Sequence, residues 1–196
     1  MFNTASSLVQ AAIQGNACEV RRLLQNTNLN LNDTFEPLIQ AAKRGHLECV
    51  KLLVDPSKYL NNDALCEAAK NGHAQCVEYL IPLSVPEDFQ NKALREACYH
   101  GHVECVELLI PASDFGEHND PAGALAAAVV GGHHDCMEAV YDLCNAEQEL
   151  NNMKASYGED MWGMLEQYHQ HRKSQQQKNL LIENITISTV QRAKKM

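Results

Sequence analysis

Along most of the chain, apolar and polar positions repeat in a unit that returns five times. Each unit opens on a leucine, at Leu8, Leu38, Leu65, Leu94 and Leu125. Small residues follow three and four places later: Ala11-Ala12, Ala41-Ala42, Ala68-Ala69, Ala97-Cys98 and Ala128-Val129. That i, i+3, i+4 spacing is one apolar face of a short helix, and its small side chains call for a close-packed neighbour. Seven residues after the leucine stands a glycine, at Gly15, Gly45, Gly72, Gly101 and Gly132. It is predicted to end the helix in a left-handed turn. A second helix follows, with apolar residues at Val20, Leu23, Leu24; Val50, Leu53, Val54; Val77, Leu80, Ile81; Val106, Leu109, Ile110; and Met137, Val140, Tyr141. In three units Pro56, Pro82 or Pro111 is predicted to stop it. The glycines are 30, 27, 29 and 31 residues apart. One such hairpin cannot bury its own apolar face, whereas a stack of hairpins can.

The pattern A-A-x-x-G-H-x-x-x-V-x-x-L-L is shared by AAKRGHLECVKLLV, AAKNGHAQCVEYLI and ACYHGHVECVELLI. It resembles the ankyrin repeat. The resemblance implies an all-α, ankyrin-type helical-hairpin solenoid of about five repeats with a helical C-terminal cap. The repeats lie near residues 5–32, 33–60, 61–89, 90–119 and 120–145 of a domain spanning 1–145. Asn28 to Ala42 is similar to the finger that leads into that family's T-P-L-H opening. Only Pro37-Leu38 of that motif is present, and two later units open as DALCEAA and KALREAC. Every interval is shorter than the usual 33 residues, which predicts shortened or lost β-hairpin fingers. A tetratricopeptide solenoid fits less well, because that family places bulky groups where alanine pairs stand here.

Positions just before the glycines vary while the rest of the unit agrees. The resemblance assigns this edge of the first helix to a concave groove that binds a protein partner. It implies contact residues Gln14, Lys43, Arg44, Lys70, Asn71, Tyr99 and His100, with Gln40, Glu67 and Glu96 on the same helical stripe. The groove is then basic within an acidic body, and Tyr and Arg are residue types enriched at binding hot spots.

Past Asn145 the repeat stops. Residues 146–175 hold Leu150, Met153, Met161, Trp162, Met164, Leu165 and Tyr168, which predict two helices broken near Ser156-Tyr157-Gly158 that cap the stack. HQHRKSQQQKN, from His169, has no period and reads as a solvated helix end or linker. LLIENITISTV, from Leu180, is open to three readings: disordered tail, short strand or targeting signal. Small ankyrin proteins that intracellular bacteria inject into host cells are similar in their shortened repeats and C-terminal signals. That resemblance implies an effector acting in a host cytoplasm.

Charge narrows the partners. Residues 1–145 hold 9 basic and 19 acidic residues, and 146–196 hold 7 and 6. An acidic body disfavours nucleic acid and anionic membrane, so a protein partner and a monomer are expected. MFNTASSLVQAA lacks a basic region followed by an apolar core, which predicts no secretory signal, a cytoplasmic location and reduced thiols. The sequon Asn184-Ile185-Thr186 is then expected to be unglycosylated. The Gly-His pairs at His46, His73, His102 and His133 occur once per repeat and cannot converge on one ion. They are predicted to bond the turn between helices. Cys18, Cys49, Cys76, Cys105 and Cys136 line up along the stack as small core residues. No cofactor or metal is expected, and no hydrolase, phosphate-binding or dinucleotide motif occurs. The chain is accordingly expected not to be an enzyme. Two alternatives are a site built from Cys144 with His169 or His171, and a structural subunit that assembles as an oligomer.

Overall fold

In the computed structural model, residues 4–26, 31–54, 59–84, 88–113, 121–143 and 159–193 are described. The chain divides into two compact units, Met1–Glu149 and Leu150–Met196. The first is a succession of helical hairpins: α1 (Thr4–Ile13) with α2 (Ala17–Asn26), α3 (Leu31–Lys43) with α4 (Leu47–Leu53), and α5 (Tyr59–Lys70) with α6 (Ala74–Leu80). It continues with α7 (Asp88–His100) and α8 (Val103–Leu109), then α9 (Ala122–Gly131) and α10 (His134–Tyr141). Each first helix packs on the next first helix, and each second helix on the next second helix, giving two layers. The five leucines and their small partners fill the space between layers: Leu8, Leu65 and Ala12, Ala41, Ala68 and Ala97 are fully buried. Burying each leucine stabilises the stack by about 1.5–3 kcal/mol.

Each first helix ends in the same turn. Gly72 donates its N–H to the Ala69 carbonyl at 3.3 Å, and His73 donates to Ala68 at 3.0 Å. This crossed pair of bonds satisfies two carbonyls that the helix end leaves without partners, and it requires a left-handed residue between them. Gly72 supplies it at φ +76°. The alanine pair of the repeat therefore serves twice, as close-packing surface and as acceptor for the turn.

One expectation about the connections changes. Among the described residues there is no strand, and from Leu31 the segment similar to a finger is helical. Connecting residues that are described form the starts of first helices. As a result α3 and α7 are each 13 residues long, and Pro37 lies inside α3. Buried amides line this added turn: Asn61, Asn62, Gln90 and Asn91. Asn61 donates Nδ2 to the Leu83 carbonyl at 2.7 Å, tying the start of α5 to the end of its own hairpin. Pro82 and Pro111 do stop their α-helices as predicted, α6 ending at Leu80 and α8 at Leu109. Each sits early in a further 3₁₀ turn, Ile81–Leu83 and Ile110–Ala112, where its missing N–H is not needed. Pro56 lies outside the described residues.

In the second unit, one helix, α11, runs from Glu159 to Ala193. The polar stretch from His169 and the segment from Leu180 are both inside it, rather than linker, tail or strand. No proline or glycine follows Gly163, and Gln, Lys, Arg and Glu are good helix formers even without an apolar period. The break expected near Ser156-Tyr157-Gly158 lies outside the described residues. Among the described residues, no helix is long and apolar enough to cross a membrane.

Candidate functional site

The histidines of the Gly-His pairs do not bond their own turn. His46 Nε2 reaches the Ile13 carbonyl at 3.1 Å, His73 reaches Lys43 at 2.9 Å, and His102 reaches Lys70 at 3.0 Å. In each case the acceptor is the preceding repeat's residue two places before its glycine. The ring lies over that glycine: a Cβ on Gly72 would stand 2.6 Å from His102 Nδ1, and one on Gly101 would stand 2.4 Å from His133 Nδ1. The pair is thus an inter-repeat lock, with the glycine of one repeat seating the imidazole of the next. Both ends of the series confirm the logic. In the first repeat the histidine's position holds Asn16, which caps its own helix by accepting from the Glu19 N–H at 3.1 Å. At the last repeat, no described residue lies within 4 Å of where a Cβ on Gly132 would be.

Burial lowers the pKa of His102 from its usual 6.5, the Lys70 carbonyl opposes that, and His100, His73 and His133 add to the lowering. The bond to Lys70 is compatible with a neutral ring that donates from Nε2.

The lock also places the carbonyl ends of the first helices, and with them the residues of the predicted groove. Gln14, Lys43, Arg44, Lys70 and Asn71 are exposed, Tyr99 is 47% exposed, and Gln40, Glu67, Glu96 and His100 are half-buried. Four of the ten come together. Lys70, Glu96, Tyr99 and His100, with Arg95 and Ala127, line a depression of about 430 Å³ across α5, α7 and α9. Tyr99 and His100 meet edge to face at 5.0 Å, and His100 stacks on His102 at 6.4 Å. Glu96 and His100 lie 3.7 Å apart, an ion pair when the ring is protonated. Lys70 and Arg95 make no ion pair among the described residues. The remaining six lie along the same edge but outside the depression. Arg44 is held by Gln40, which itself donates to Glu36 at 2.7 Å, and Asn71 donates to the Glu67 carbonyl at 2.8 Å.

Sequence reasoning missed Arg95 and the exposed Val130. Val130 stands at the position of Tyr99 one repeat later, so the alignment held the signal. For Arg95 the signal was its i+3 relation to Lys92 on an exposed helix face.

The cysteine ladder holds for Cys49, Cys76, Cys105 and Cys136, all buried, but not for Cys18, which is exposed. Cys18 falls three rather than four residues after its glycine, and one residue turns a side chain about 100° around a helix. Burial pushes the Cys76, Cys105 and Cys136 thiols up to about 11 and Cys98 to about 12. Among the described residues, no group of His, Cys, Asp or Glu could hold a metal. Cys144 lies outside them.

A family model for ankyrin repeats (3 copies) matches residues 8–85 and again 65–153. The chain belongs to the ankyrin-repeat family. A comparison with curated proteins finds no match. Ankyrin repeats are in general protein–protein interaction modules and not typically enzymes.

Proposed function

We propose that this ankyrin stack binds a protein partner along the exposed edge of its first helices, centred on the depression around Tyr99. One observation carries the reading: a largely exposed tyrosine sits in a formed hollow between two cations, Lys70 and Arg95, that have no ion partner of their own among the described residues. Along the first helices and their turns, Lys43, Arg44, Lys70, Lys92 and Arg95 are exposed, whereas Asp33, Asp63, Glu67 and Glu96 are half-buried and Glu36 is exposed, which favours an acidic segment carrying an apolar or aromatic residue. Ala127 leaves room on the floor of the hollow for that residue.

The partner meets the protein as a monomer in a reducing cytoplasm. Seven free cysteines among the described residues support that compartment. The excess of acidic residues in the repeats supports a protein rather than a nucleic acid or membrane partner. The repeat intervals, all below 33 residues, support a place among the small ankyrin proteins that intracellular bacteria deliver to host cytoplasm.

The test is affinity capture from a eukaryotic lysate with the wild type, Lys70→Glu/Tyr99→Ala and Arg44→Glu, followed by titration of the captured protein. Loss of a central tyrosine anchor corresponds to a weakening of roughly 30-fold, or about 2 kcal/mol. The double variant should lose the partner while keeping its circular dichroism spectrum and melting curve. A partner retained at full affinity by the double variant defeats the proposal.

A further inference from the structure

The second helices carry a feature that the first-helix edge does not explain. A groove of about 610 Å³ opens between α4 and α6, lined by Leu47, Gln75, Glu78, Tyr79, Pro82 and Leu83. Its far wall is fixed: the Leu83 carbonyl accepts from buried Asn61, and Ser84 donates Oγ to the Leu80 carbonyl at 2.8 Å. The groove belongs to this pair of repeats because of three side chains. One repeat further on, Leu47, Tyr79 and Leu83 are replaced by Ala74, Leu108 and Ala112.

From the groove, carboxylates run along the stack in two rows. Glu78, Glu107 and Glu138 stand six residues after their glycines, and Glu104 and Asp135 stand three after theirs; all five are exposed. Neither α6, α8 nor α10 contains a lysine or arginine. None of the five carboxylates makes an ion pair among the described residues. The first two repeats differ: Glu19 pairs with Arg22 at 2.5 Å and Glu48 with Lys51 at 2.7 Å. The outer face is therefore self-compensated up to the groove and uncompensated beyond it.

Packed helices are spaced about 8–10 Å apart, so Glu78, Glu107 and Glu138 recur at about that interval. A polyproline II chain has three residues per turn and a rise of about 3.1 Å, and so presents every third side chain on one face roughly 9 Å apart. The two spacings match. We infer that the groove between α4 and α6 is a second interaction surface, which takes an extended basic peptide: an apolar side chain seats against Leu47, Tyr79 and Leu83, and cations at every third residue follow the carboxylate row. The occupant is fixed by charge and spacing complementarity, and its position on the second helices is separate from the Tyr99 depression.

The probe is a fluorescein-labelled peptide, Leu-Pro-Pro followed by three Lys-Pro-Pro triplets, titrated against the full chain by fluorescence polarisation. Its comparators have the same composition with the lysines adjacent, or glutamate in place of lysine. The spaced probe should bind about tenfold more tightly than the clustered isomer, and the glutamate peptide should not bind. Glu78→Lys and Glu107→Lys, both on exposed positions, should each weaken the spaced probe about tenfold, as should Tyr79→Ala if it remains folded by circular dichroism. Lys70→Glu/Tyr99→Ala should bind it like the wild type, which separates this surface from the first. Equal binding of the spaced and clustered isomers overturns the inference, as does wild-type affinity in Glu78→Lys.

Discussion

Replacing Gly72 by alanine isolates the inter-repeat lock, because Gly132→Ala provides a matched control. Both glycines are left-handed, at φ +76° and +73°. A side chain in that conformation costs about 1–2 kcal/mol at either site. At Gly132 no described residue lies within 4 Å of the new Cβ, so the cost stops there. At Gly72 the Cβ would sit 2.6 Å from His102 Nδ1 and 2.9 Å from Cε1. The ring cannot swing aside freely, since its Nε2 is held 3.0 Å from the Lys70 carbonyl. It must leave the seat, and its hydrogen bond goes with it, about 1 kcal/mol more. Gly72→Ala should therefore destabilise by about 2–3 kcal/mol and Gly132→Ala by about 1–2 kcal/mol. Urea unfolding followed by circular dichroism measures both. Stacked repeats are coupled through nearest-neighbour interfaces, so the Gly72 variant should also split or broaden the transition at the junction of the third and fourth repeats. Once His102→Ala has emptied the seat, Gly72→Ala should cost no more than Gly132→Ala does in the wild type. Equal costs for the two alanine variants in the wild-type background would show that the imidazole seat contributes nothing.

Three further outcomes follow from the same geometry. Because burial lowers the pKa of folded His102 below 6.5, the folded state binds that proton less readily than the unfolded chain. Its contribution is complete above about pH 6.5 and falls as the pH drops below that value; the difference in melting temperature between wild type and His102→Gln should be flat above this point and shrink below it. Treatment of the native protein with iodoacetamide at mildly alkaline pH, with peptide mapping, should label Cys18 and spare Cys66, Cys76, Cys98, Cys105 and Cys136, whose thiols burial pushes up to about 11 or 12; labelling of Cys105 at the rate of Cys18 would contradict the packing described. Ala68 is fully buried in α5, which packs against both α3 and α7, so Ala68→Leu should destabilise by about 1–3 kcal/mol in the same urea assay, whereas no effect would mean that the first helices are not close-packed there.

What the sequence disclosed depended on how local the cause was. The leucine, the small pair and the glycine each meet a demand inside one hairpin, and five copies in register made those demands plain. Tyr99 with Lys70 was legible because equivalent positions line up along a stack, and Glu96 with His100 because they stand four residues apart on one helix. The histidine bond was not. Gly101 and His102 are adjacent in the chain, yet the ring of His102 serves Gly72 and Lys70, one repeat earlier. Shortened connections were visible only as missing residues; that described connecting residues would join longer helices with buried Asn61 and Asn91 depends on packing between repeats. The helix through His169 and Leu180 escaped because its polar stretch has no apolar period, even though its residue types favour helix.

The division of labour within the repeat explains why the two proposed surfaces are free to vary. Leucine, alanine, glycine and histidine are committed to the core, the turn and the lock, and a change at any of them disturbs a neighbour. That leaves the residues just before the glycine and those three and six places after it, whose side chains lie at the surface and touch at most their neighbours on the same helix or turn. The two sets differ in kind. The first gathers lysine, arginine and tyrosine, and the second, beyond the α4–α6 groove, gathers only carboxylates and a glutamine. Oppositely charged faces on one scaffold repel each other's partners, so a segment that suits the Tyr99 depression is disfavoured on the outer face and the reverse holds. Exposed charges are screened beyond about 8 Å at physiological salt. Discrimination between the faces should therefore rest on the apolar anchors, Tyr99 on one side and the Leu47–Tyr79–Leu83 groove on the other, with charge setting the register and the rate of encounter.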